Sequence, residues 1–127
     1  MTLAIFDLDY TLLAGDSDYL WGSFLCEESL VDTAEFSKKN DQFFSDYLEG
    51  SLDILAYQEF ILRPLTRFSI ARLEKLRLKF LEEKINPIIL KKGKELIAKH
   101  VSLDHHPIIV TATNDFVTRP IADLLGI

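Results

Sequence analysis

The sequence has little with which to cross-link itself, hold a soft metal or cross a membrane. Cys26 is the one cysteine among 127 residues, which excludes an intramolecular disulfide and a cysteine-based metal centre and fits a reducing compartment. No apolar run approaches the roughly 20 residues that a membrane-spanning helix needs. The stretch Met1–Phe6 is short, lacks a basic flank and ends in Asp7, so no signal peptide is expected and the expected location is cytoplasmic. Positive charge is scarce: 14 Lys and Arg stand against 20 Asp and Glu, a net charge of −6. Without a basic block, nucleic acid and anionic membrane surfaces are not expected partners. Five Gly and four Pro among 48% hydrophobic residues exclude a disordered chain and describe one compact folded domain.

What is present is a pattern of two short apolar runs around a helical middle. Leu3 to Phe6 has the form of a strand buried on both faces. Ile108, Ile109 and Val110 form a second run, ending in Thr111-Ala112-Thr113-Asn114, after which Asp115 to Leu125 reads as a helix stopped by Gly126. Between the runs, from Asp16 to Ile85, apolar residues recur at helical spacing, as in Phe36, Phe43, Phe44 and Tyr47, or Ile70, Leu73, Leu76 and Phe80. Thr33 and Ser69 are the expected N-caps, and Glu49-Gly50-Ser51 and Arg63-Pro64 the expected breaks, so about four helices fit the interval. After Asn86-Pro87, Ile88 to His100 reads as a further amphipathic helix.

This order predicts an α/β fold: a parallel core interrupted by a helical insertion after the first strand. The expected domains are residues 1–15 with 86–127, forming a partial core, and 16–85, forming the insertion. Two strands are few, because sheets usually contain about 4 to 6. The chain therefore reads as the first part of something longer, and a second copy covering the incomplete sheet is an expected partner.

In open parallel sheets ligands bind beyond the carboxyl ends of the strands. Asp7-Leu8-Asp9-Tyr10-Thr11 leaves the first strand and Thr111-Ala112-Thr113 the second. Two carboxylates two residues apart can hold one hard cation through oxygen while one of them reacts. A neighbouring hydroxyl and the amides of a helix N-terminus suit a phosphate.

Phe6-Asp7-Leu8-Asp9-Tyr10-Thr11-Leu12 resembles the first signature, DxDxT, of the haloacid dehalogenase-like hydrolases, and Ile109-Val110-Thr111 resembles their second. The insertion is similar to the four-helix cap of the phosphoserine phosphatase-like branch. The resemblance implies a Rossmann-like core and a Mg²⁺-dependent phosphatase acting on a small phosphorylated metabolite. It implies that Asp7 is the nucleophile that forms an aspartyl-phosphate, and Asp9 the general acid and base. Mg²⁺ would bind the Asp7 carboxylate and the Asp9 carbonyl. Thr11 would orient the Asp9 region, while Thr111 and the amides of Leu8 and Ala112 would hold phosphoryl oxygens. Thr113 competes with Thr111 for that role.

Two departures from the branch qualify these implications. Its downstream signatures, a basic residue and an acidic pair that completes the Mg²⁺ shell, have no counterpart before Ile127, and Lys91, Lys92 and Lys94 precede the second strand. Two alternatives follow: a catalytically incomplete chain with a structural or dimerising role, or phosphoryl transfer to an acceptor other than water. In the cap, Asp16 stands where phosphoserine-specific members carry an acid, and Glu59 stands where they carry the arginine that meets the substrate carboxylate. A glutamate there predicts little selectivity for phosphoserine. A calcium loop is excluded, because counting from Asp7 gives Leu12 and Asp18 where an EF-hand needs Gly and Glu. Asp104-His105-His106 precedes its strand and reads as a solvated loop, and the aromatic residues of the insertion read as its core.

Overall fold

The computed structural model describes all residues, Met1–Ile127, as two strands and six α-helices. They form two compact units: Met1–Ser17 with Leu81–Ile127, and Asp18–Phe80.

In the α/β unit, β1 (Thr2–Phe6) pairs in parallel with β2 (His105–Ile109), from Thr2 opposite His105 to Phe6 opposite Ile109. β2 starts three residues ahead of its apolar run, because pairing is carried by the backbone and accepts the polar His105 and His106. Pro107 is tolerated opposite Ala4, since a strand with a single neighbour has backbone groups that need no partner strand. The expectation that β1 is buried on both faces is corrected. Ala4 and Phe6 are buried, whereas Leu3 and Ile5 on the other face are 49% and 65% exposed, so a two-stranded sheet has one covered face.

The segment after β1 is tied to the segment before α5 (Lys91–Ser102). Ala14 N–H donates to Ile88 O at 2.8 Å and Leu90 N–H to Leu12 O at 3.0 Å, flanking an antiparallel bridge between Leu13 and Ile89. This pairing and the 3₁₀ turn Asn86–Ile88 make α5 start three residues later than its apolar periodicity suggests. A Cβ at Gly93 would lie 3.0 Å from Leu12 Cδ2, so glycine permits the close approach here. α6 (Asp115–Leu125) has the predicted bounds: Asn114 accepts from Val117 N–H at 3.1 Å, and Gly126 closes the helix at φ 76°.

The helical unit comprises most of α1 (Ser17–Glu27), then α2 (Thr33–Glu49), α3 (Ile54–Leu62), a 3₁₀ turn (Arg63–Arg67) and α4 (Ile70–Phe80). Asp32, one residue before the expected Thr33, is the N-cap of α2 and accepts from Glu35 N–H at 3.1 Å. Ser69 Oγ accepts from Arg72 N–H at the start of α4. Two aromatic clusters form the interior. Trp21, Phe24 and Phe80, all buried, meet at centroid distances of 5.1 to 5.6 Å. Phe36, Phe43, Tyr57 and Phe60 form the second, where Phe36 and Phe60 stack at 4.3 Å. Beyond α4 the chain passes into a π-helical turn, Leu81–Ile85.

Candidate active site

The register places the two strand exits side by side, and Val110 N–H donates to Phe6 O at 2.9 Å, extending the ladder to the residue opposite Asp7. The chain then turns sharply. The amides of Thr11, Leu12 and Leu13 all donate to Leu8 O at 3.0 to 3.2 Å, while the buried side chains of Leu8, Leu12 and Leu13 pin the turn. Tyr10, between Asp9 and Thr11, has φ 56°, a left-handed conformation costing roughly 1–2 kcal/mol for a residue with a Cβ. The turn that presents both carboxylates is therefore held against local strain.

The two aspartates of this turn differ in their surroundings. Asp7 is exposed, and the Thr11 hydroxyl donates to its Oδ2 at 3.2 Å. Asp9 is half-buried and held at both oxygens: Oδ1 accepts from Ser17 N–H at 2.7 Å and Oδ2 from the Thr113 hydroxyl at 2.8 Å. In the turn where Thr11 is expected to orient the Asp9 region, its hydroxyl is not the donor at either Asp9 oxygen. Thr11 turns to Asp7, four residues back along the same turn, and Thr113 reaches Asp9 from the other strand exit. Thr111 Oγ1 accepts from Thr113 N–H at 3.2 Å, so the two threonines that compete in the sequence hold separate positions. Leu8 is fully buried and Ala112 exposed on their respective exits.

Sequence reasoning missed the Ser17 contact, because any residue offers a backbone N–H. Thr113 was legible as a candidate hydroxyl, but its partner lies 104 residues away in the chain and only the strand register reveals it.

Of the remaining candidates, Asp16 is half-buried in the α/β unit. Glu59 lies on α3 in the helical unit, exposed on a groove that Arg63 and Arg67 also line. Lys91 pairs with Glu95 at 3.8 Å within α5. His105 is opposite Thr2, at the far end of the ladder from Asp7, with its Nδ1 2.9 Å from His100 Nδ1.

Neither Asp7 nor Asp9 enters an ion pair, so the exits carry two carboxylates without a neutralising side chain. Two groups of the helical unit are perturbed. The Tyr19 phenol is raised above its ordinary value of 10.0, chiefly by its hydrogen bond to Asp41 and then by burial. Burial, followed by the Asp41 and Glu27 charges, raises the Cys26 thiol.

The donor set fits part of a Mg²⁺ shell. The exposed Asp7 carboxylate and the Asp9 carbonyl are hard oxygens of the kind Mg²⁺ prefers, whereas the Asp9 carboxylate already faces two protein donors. No group of three His, Cys, Asp or Glu residues converges in a geometry that could hold a metal ion. The Asp7 carboxylate and the Asp9 carbonyl are the groups that would hold Mg²⁺ here. No helix is long and apolar enough to cross a membrane.

The chain is 39% identical over 125 residues to a histidinol-phosphatase of Neisseria meningitidis serogroup C (strain 8013), an alignment spanning 98% of this chain and 56% of that protein. A crystal structure of a protein of unknown function from Bordetella pertussis Tohama I superimposes with a TM-score of 0.89 at 36% identity, covering all of this chain and 58% of that one. The chain thus spans a little over half the length of these relatives. Residues 4–127 match the family model of the haloacid dehalogenase-like hydrolases, and with the two aspartates at the β1 exit and the threonines at the β2 exit, the chain belongs to that family.

Proposed function

We propose that this chain is the nucleophile-bearing part of a phosphatase that hydrolyses a small phosphomonoester. The observation that carries the reading is the contrast between the aspartates: Asp7 is open to solvent at the strand exit, while Asp9, two residues on, is fixed at both oxygens. An exposed, unpaired carboxylate suits attack on phosphorus, forming an Asp7 Oδ–P bond as the P–O ester bond breaks. Asp9 gives a proton to the departing alkoxide oxygen and then takes one from the water that attacks the phosphorus of the Asp7 acyl phosphate, breaking the Oδ–P bond to release phosphate and regenerate the carboxylate. Thr111 and the Leu8 and Ala112 amides hold phosphoryl oxygens. The Asp7 carboxylate and the Asp9 carbonyl would hold Mg²⁺, which would supply positive charge to offset the repulsion between phosphate and nucleophile.

The name of the Neisseria relative directs the substrate towards histidinol phosphate, the phosphate ester of an amino alcohol. A second reading, that the polypeptide holds half a site, draws on the exposed Leu3, Ile5 and Val110 of the sheet and on the two-oxygen metal donor set. In that reading the open edge of β1 pairs with a further strand, from more of the same fold or from a second copy.

The test is phosphate release from histidinol phosphate, phosphoserine and an aryl phosphate, with and without Mg²⁺, for the chain and its Asp7→Asn variant. The expected outcome is turnover that requires Mg²⁺ and Asp7, with histidinol phosphate preferred and no marked preference for phosphoserine. Turnover that survives Asp7→Asn would remove the nucleophile assignment.

A further inference from the structure

The turn that carries the two aspartates includes one residue that its backbone conformation does not favour. Tyr10 has φ 56°, an angle that glycine or asparagine adopts at little cost and a bulky side chain does not. The angle is imposed from both sides. Tyr10 N–H donates to Gly15 O at 3.1 Å, and the next three amides, those of Thr11, Leu12 and Leu13, all donate to Leu8 O. The side chain offsets none of this strain: its ring is 59% exposed, its hydroxyl makes no hydrogen bond, and it stacks on no other ring. The phenylalanines of the α/β unit behave differently, Phe6 being buried and Phe116 half-buried. Strain held at a side chain that bonds to nothing in its own chain, between the groups of a candidate site, points to a role towards a ligand.

We infer that Tyr10 is a specificity-determining residue of this site, and that its ring receives a flat aromatic or heteroaromatic body carried by the alcohol part of the phosphomonoester. The inference rests on the phosphatase reading given above. With Asp7 at the phosphorus and Asp9 at the departing alkoxide, the alcohol lies on the Asp9 side of the turn, and Tyr10 is the residue that follows Asp9. The Asp9 carboxylate is fixed by Ser17 N–H and the Thr113 hydroxyl, so the direction in which the alcohol departs is fixed with it. An exposed ring beside that path favours a flat ring over a saturated one of equal size, because offset or edge-to-face aromatic contact adds to simple burial. A protonated heteroaromatic ring gains a cation–π attraction as well. A short aliphatic alcohol makes no use of Tyr10.

The test uses phosphonates, which are not hydrolysed, so it does not depend on turnover. The ¹⁵N-labelled full chain is titrated in the presence of Mg²⁺ with 2-phenylethylphosphonate, with 2-cyclohexylethylphosphonate, which matches it in charge and length, and with methylphosphonate, which has no body. The expected result is saturable shifts at the two strand exits, with Kd about millimolar for the phenyl probe and binding about fivefold weaker for the cyclohexyl probe. Tyr10→Asn should bring these two probes to within about twofold of each other while raising the thermal midpoint by about 3 °C, because asparagine accepts the left-handed angle. Tyr10→Phe should keep the preference. Loss of preference together with a gain in stability separates a ligand contact from a structural one. Equal binding of the phenyl and cyclohexyl probes by the unmodified chain, or a preference that survives Tyr10→Asn, overturns the inference, and the phosphatase reading stands if methylphosphonate still shifts the strand exits. Absence of shifts there with all three probes overturns both. If a variant loses its dispersed spectrum, the comparison of probes on the unmodified chain decides alone.

Discussion

The two units have opposite relations between chemistry and packing. The helical unit carries two aromatic clusters, one of them formed by the fully buried Trp21, Phe24 and Phe80. The α/β unit carries the paired aspartates, yet half of β1 points apolar side chains into solvent. The aspartate-bearing end of the sheet is nevertheless fixed by a tight turn and by bonds spanning the chain: Leu8 O with three amides, Asp9 with Ser17 and Thr113, and the Leu13–Ile89 bridge. A site can thus be locally preorganised by hydrogen bonds while the sheet beneath it is only half covered.

Substitutions can break this contrast directly. The largest effect is expected for Phe24→Ala, which opens a cavity at a fully buried ring and should cost about 3–5 kcal/mol in urea unfolding. Ile5→Ala in β1, at 65% exposure, should stay within about 0.5 kcal/mol. Comparable losses at the two positions would mean that β1 is covered in solution. Next is Gly22→Ala. A Cβ there would lie 2.7 Å from the side-chain amide of buried Asn40, whose Nδ2 donates to Tyr19 O. Despite alanine's better helix propensity, a loss of about 1–3 kcal/mol in thermal unfolding is expected.

Smaller still is Thr113→Val, which removes the hydroxyl donated to Asp9 Oδ2 and should cost about 1 kcal/mol. Thr113→Ser should restore it, and equal stability of Val and Ser variants would show that the contact contributes nothing. The smallest effect concerns reactivity. Because burial raises the Cys26 thiol, little thiolate exists at neutral pH, and its reaction with an aromatic disulfide should be several-fold slower than that of an unstructured cysteine peptide. Equal rates would show that burial does not hold the Cys26 thiol above its ordinary range.

Much of this architecture was legible in the sequence where local physics decides. Asn114 and Gly126 bracket α6 because one caps with its side chain and the other accepts a left-handed φ. Gly50 ends α2 in the same way, and Arg63-Pro64 forces a tighter turn. The Asp7 and Asp9 exit followed from an apolar run cut by charge. Features set by pairing at a distance were not legible. The start of β2 at His105 depends on register with Thr2, and the late start of α5 depends on backbone bonds to Leu12 and Ala14. One-sided exposure of β1 depends on what covers the sheet, which apolar content alone does not state. At Asp32 and Thr33 two good capping residues compete, and the aspartate prevails.

The parallel pairing of Thr2–Phe6 with His105–Ile109 also sets a timetable for biosynthesis. β1 is synthesised first, and its partner follows roughly a hundred residues later. At elongation rates of about 5–20 residues per second, the strand waits on the order of 5–20 s with its hydrogen-bonding groups unclaimed. The intervening helices, rich in short-range contacts, can form within that interval. The nascent strand therefore waits with an open edge, and Asp9 gains its Thr113 hydrogen bond only after β2 has left the ribosome.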